Sequence, residues 1–81
     1  MDMRDILTGS RPSVVFREYI RNTPGVSNGD VAMHFGEAFP RMSGEVRQVI
    51  WHWKSPMRDV GMSDEMLDLQ VMRCLKEAGY L

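Results

Sequence analysis

The sequence predicts a single small all-α domain of about four helices. Three observations carry that prediction. Apolar residues recur at helical spacing in four separate stretches, Ser, Pro and Gly punctuate the chain where such helices begin and end, and no stretch alternates apolar and polar residues as a half-buried strand does.

The first helix begins near Pro12, since proline suits a first helical turn. From Ser13 to Arg21, Val15, Phe16, Tyr19 and Ile20 fall on one side and Arg17, Glu18 and Arg21 on the other. Thr23-Pro24-Gly25 ends it. Ser27 caps the second helix, with Asp30 three residues on at capping-box spacing. Val31, Ala32 and Phe35 form its inward face, Gly36 is expected to close it, and Glu37 to Met42, with Pro40, reads as a turn.

Ser43 is the expected cap of a third helix, in which Val46, Val49, Ile50 and Trp53 make an i, i+3, i+4, i+7 stripe ended by Lys54-Ser55-Pro56. Met57 to Met62, with Gly61, is a connection. Ser63 caps the fourth helix, where Asp64 and Glu65 complement the helix dipole. Leu67, Val71, Cys74, Leu75 and Ala78 form its stripe and Gly79 follows its end. Residues 1–11 show no such pattern and read as a flexible N-terminus, with Met1, Met3, Met57 and Met62 flanking or linking helices as exposed residues.

Composition narrows the function classes. The chain has 81 residues, 43% hydrophobic and 26% charged, enough for one domain and too short for a large catalytic cleft. No run approaches the roughly 20 apolar residues of a membrane helix. No signal-peptide pattern opens the chain, and the single Cys74 rules out an internal disulfide and a cysteine-based zinc cage, so a cytoplasmic setting is expected. His34 and His52 have no metal ligand at i, i+4, and there is no phosphate loop and no nucleophile elbow. A non-catalytic protein without a cofactor is expected.

The net charge is −1, but it is unevenly distributed. Residues 39–58 hold Arg41, Arg47, Lys54 and Arg58 against Glu45 alone, whereas residues 59–81 hold Arg73 and Lys76 against five acids. Ala32 midway in the second helix, Gly36 four residues later, and Val46 and Val49 seating the next helix have the residue types that let two helices cross closely around a turn. The stretch PGVSNGDVAMHFG resembles the opening of helix-turn-helix and winged-helix DNA-binding domains, and the resemblance covers Val14 to Lys54. The interval from Gly36 to Val46 is four residues longer than a compact turn, as in the winged-helix branch. The closing LKEAGYL is similar to a helix entering a wing, but the position of the wing hairpin is taken by another helix, which argues against a wing.

That resemblance implies a transcriptional regulator that binds double-stranded DNA with its third helix. The outward residues would be Gly44, Arg47, Gln48, Trp51, His52 and Ser55. Arg47 suits guanine and Gln48 suits adenine. Arg41 and Ser43 would hold phosphates at the helix start, and Lys54 and Arg58 would do so beyond its end. Glu45 beside them would repel phosphate. Trp51 lies off the apolar stripe, as do Leu69 and Met72 on the fourth helix. These three define the competing expectation, a non-catalytic protein–protein interaction module such as a small adaptor or inhibitor, while on the DNA reading the C-terminal helix is the expected joining face of a homodimer or the docking face of a protein partner.

Overall fold

The computed structural model describes residues 2–81. Four α-helices follow a short 3-10 helix, and among the described residues there is no strand. The 3-10 helix is Met3–Thr8, followed by α1 (Pro12–Asn22), α2 (Asn28–Ala38), α3 (Glu45–Trp51) and α4 (Asp64–Glu77). None of these helices is long and apolar enough to cross a membrane.

The helices pack in a closed circuit. α2 lies against α3, α3 against α4, and α4 against α1, while the 3-10 helix closes the gap between α1 and α2. At the centre Phe16 meets Phe35 edge-on at 5.7 Å and Trp53 at 5.8 Å, and Phe35 meets Phe39 at 4.7 Å. All four rings are fully buried. Each contributes roughly 1.5–3 kcal/mol through removal of its apolar surface from water.

Several local expectations hold. Ser27 and Asp30 form the capping box of α2, with Asp30 Oδ2 accepting from the Ser27 amide at 2.9 Å. Ser63 accepts from the Met66 amide and so caps α4. Val46, Val49, Ile50 and Trp53 are buried as one stripe.

Others are corrected. Residues 2–11 are not a loose lead, because Asp2 and Asp5 cap the 3-10 helix and Met3 and Ile6 are buried in the core; Met1 lies outside the described residues. Gly36 does not close α2, which runs two residues further to Ala38 so that Phe39 can reach the core. Ser43 does not cap α3. Gly44 holds that place without any side-chain cap bond, and α3 is only seven residues long. Ser55 is buried rather than outward, its hydroxyl accepting from the Met57 amide.

The carboxylates of α4 also act beyond their own helix. Asp68 accepts from the Ser13 amide at 2.7 Å and from its hydroxyl at 3.0 Å, supplying the cap that α1 lacks locally. Asp64 takes both Nε and Nη2 of Arg17, at 3.0 and 2.8 Å, and the indole Nε1 of Trp53 at 2.9 Å. Arg17 lies over the Trp53 ring, 5.4 Å from its centroid. The paired guanidinium, more than the indole N–H, holds the Asp64 carboxyl below its ordinary range against the upward push of desolvation.

Candidate functional site

α3 is short and sits at the rim of the circuit. Its helical spacing sends Val46, Val49 and Ile50 inward and leaves Arg47, Gln48 and Trp51 on the outer face. Arg47, Gln48 and Trp51 line a groove whose other wall is Gly29 and Ala32 of α2. Towards the start of α3 the surface continues into a concavity between Met33, Gly36, Glu37, Ser43 and Arg47. Beyond Trp51 lies a more apolar hollow formed by Gly25, Val26, Asn28, Met57 and Arg58. The expected residues Ser43, Arg47, Gln48, Trp51 and Arg58 therefore fall along one continuous strip.

Trp51 is the largest exposed group on that strip, with 54% of its surface accessible. Its indole rests on α2 at Gly29, where Cζ3 lies 3.3 Å and Cε3 3.8 Å from the point a Cβ would occupy. Met33 and Met57 are also exposed, at 60% and 58%.

The backbone beneath Trp51 is fixed from two sides. Asn28, buried at the start of α2, directs its Nδ2 to the carbonyls of Ile50, Trp51 and Trp53 at 3.2, 3.1 and 2.8 Å. The Arg58 guanidinium donates to the Trp51 carbonyl as well. These donors satisfy the orphan carbonyls that end every helix.

The other expected residues are placed differently. Arg41 lies in the turn before α3, its guanidinium 4.5 Å from the centroid of the Tyr80 ring and its amide donating to the Tyr80 hydroxyl at 3.1 Å. Desolvation pushes the Tyr80 phenol up, but Arg41 outweighs it and draws the phenol below its ordinary value. Lys54 is exposed in a separate concavity that also contains Arg17, Arg58, Asp64 and Glu65. His52 is exposed just past α3, and its carbonyl accepts from the Met62 amide at 2.7 Å. On α4 Leu69 is 65% exposed, whereas Met72 packs partly buried against the core.

Glu45 is not left bare beside the basic residues. Arg73 of α4 reaches it at 2.6 Å and holds Glu77 at 3.0 Å. Buried Cys74 lies close enough that its sulfur and one oxygen of each acid fall within 4.8 Å of one another. The Arg73 guanidinium already bonds both carboxylates and so supplies the positive charge this cluster needs. Burial, then the charge of Glu45, pushes the Cys74 thiol above its ordinary value.

Sequence reasoning missed Gly29 as the seat of Trp51, Asn28 as the cap of α3 and Arg73 as the partner of Glu45. Each pairs residues more than 20 positions apart in the chain, and no local spacing signals it. Comparison with known proteins finds no matching family model, no similar curated protein and no similar solved structure.

Proposed function

We propose that this chain is a small helix-turn-helix-type DNA-binding regulator in which α2, the turn through Phe39–Gly44 and α3 form the reading unit. One observation carries the reading: Arg47 and Gln48 stand side by side on the outer face of α3, while the helix's single acid, Glu45, is held by Arg73. Arg47 and Gln48 are the base readers, suited to guanine and adenine edges. Ser43, Arg58 and Lys54 take backbone phosphates, and Arg41 does so from its place on Tyr80. The reading needs no catalysis, metal or cofactor, and it places the protein in the cytoplasm. A seven-residue helix is about 10 Å long and spans few base pairs, so two copies on one duplex are part of the proposal, with the exposed Leu69 side of α4 as the joining face.

The test is an amide NMR titration with a random-sequence duplex at about 50 mM and then about 200 mM salt. Shifts confined to residues 41–58 that fade at the higher salt support the reading. Their absence at low salt removes it.

A second reading has its own observation. Exposed Trp51, with exposed Met57 in the same hollow and Met33 also exposed on α2, has the residue types of a protein-docking hot spot, and on this reading the chain is a small adaptor or inhibitor. The same titration separates the two, since a docking surface gives no salt-dependent response to DNA.

A further inference from the structure

Trp51 is an awkward residue for a helix that only reads a duplex groove. It is the bulkiest group on the outer face of α3, and neither of its neighbours Arg47 and Gln48 covers it. The indole divides the surface into two hollows. One holds Arg47 beside Gly29 and Ala32; the other holds Arg58 beside Val26 and Met57. Each contains one arginine and no carboxylate. Three other concavities on this surface all carry acids: Glu37 in one, Asp2 in another, Asp64 and Glu65 in the third. The nearest acid to the Trp51 hollows along α2, Asp30, is folded back onto Ser27.

The chemistry that fits is a flat apolar group alternating with negative charge. Every nucleobase has a π-face to lay against an indole, and the phosphates on either side of it find a guanidinium in each hollow. Arg58 gives one N–H to the Trp51 carbonyl and retains others among its five donors. The ring is also held in place, since Gly29 supports one edge and Asn28 and Arg58 fix its carbonyl.

We infer that Trp51 is a stacking platform for an unpaired base, with Arg47 and Arg58 holding the phosphates that flank it. The nucleic acid taken by this face is then a single strand or a locally opened duplex. The inference rests on the part of the reading above that puts nucleic acid on the outer face of α3, and it replaces the duplex there by a single strand, so that Arg47 takes a phosphate in place of a base edge.

Tryptophan fluorescence tests it directly, because the only other indole, Trp53, is fully buried and serves as an internal reference. The full chain is titrated with an oligothymidine of about 15 nucleotides and, separately, with a hairpin duplex of similar length. The single strand is expected to quench Trp51 and to bind more tightly than the hairpin. Trp51→Ala should weaken single-strand binding by roughly 5- to 150-fold, and Trp51→Phe should restore much of it. Arg47→Ala should lower the salt slope for the single strand by about 0.7. Unchanged Trp53 emission in Trp51→Ala confirms that the variant is folded. Hairpin binding without single-strand binding, or single-strand binding indifferent to Trp51→Ala, overturns the stacking role and leaves the DNA reading in place. Failure of both nucleic acids to bind at low salt overturns both.

Discussion

The side-chain amide of Asn28 donates to the carbonyl of Trp53 across 2.8 Å, so the first residue of α2 closes the far end of α3. The same nitrogen serves the carbonyls of Ile50 and Trp51, and the buried Asn28 Oδ1 has no hydrogen-bond partner among the described residues. Asn28→Ala should lower stability by about 2 kcal/mol, because buried carbonyls lose their donor while one unpartnered oxygen is removed in compensation. Asn28→Asp should cost more, since it aims a carboxylate at three carbonyl oxygens. Urea unfolding of the two variants checks the order.

Asp64 makes the fold sensitive to acid in a defined window. Its carboxyl is held below the ordinary 3.8, chiefly by Arg17. Above about that pH the group is ionised in folded and unfolded chains alike, and stability has no slope from it. As pH falls from there to the depressed folded value, only the unfolded chain takes up the proton, so stability declines. Asp64→Asn should be less stable at neutral pH and should lose this part of the acid slope. Thermal melts between pH 2 and 6 would show whether the slope persists.

Arg73 is predicted to influence DNA affinity from outside the reading helix. Arg73→Ala frees Glu45 and Glu77, and if α3 is the DNA-reading helix proposed above, it should weaken duplex binding by about 3-fold at low salt, with the loss shrinking as salt rises. Arg73→Lys should retain most of the affinity. Fluorescence anisotropy at two salt concentrations measures both.

Gly61 cannot be replaced cheaply. Its φ is +141°, and a Cβ there would stand 2.5 Å from the His52 carbonyl oxygen and 2.9 Å from the Lys54 amide nitrogen. Gly61→Ala should cost about 2 kcal/mol or more, read as a lower urea midpoint. Replacement of Gly36, where a Cβ meets nothing within 4 Å inside a helix, should instead be neutral or stabilising by up to about 1 kcal/mol.

Buried Cys74, its thiol pushed up by desolvation, should be protonated at neutral pH and resist modification. Its reaction with an aromatic disulfide reagent should be at least about 100-fold slower in the native protein than in denaturant, as expected when attack needs an opening of the core.

The four helices were legible because their signals are local: a capping box at Ser27 and Asp30, an apolar stripe from Val46 to Trp53, acids opening α4 and Gly79 past its end. The 3-10 helix was not. Its six residues are far shorter than the roughly 11 to 18 over which apolar periodicity is read, and what orders it is burial of Met3 and Ile6 against α1 and α2. Gly36 misled because glycine is tolerated inside a helix when the following residues, here Ala38 and Phe39, gain burial. On the outer face, Arg47, Gln48 and Trp51 followed from periodicity alone. The partners of Asp64, Asp68 and Glu45 did not, because pairing across the bundle depends on how helices cross.

The segment between His52 and Met62 has a consequence for how the chain tolerates change. The Lys54 amide donates to the Met62 carbonyl at 2.8 Å and the Met62 amide to the His52 carbonyl at 2.7 Å, so the two ends of this excursion are clasped by main chain. Val60, within it, is 70% exposed. With its base fastened independently of its contour, the excursion is a natural point of insertion. Doubling its length adds only about 0.6 kcal/mol of closure entropy, and extra residues placed next to Val60 extend into solvent and leave the four-ring core untouched.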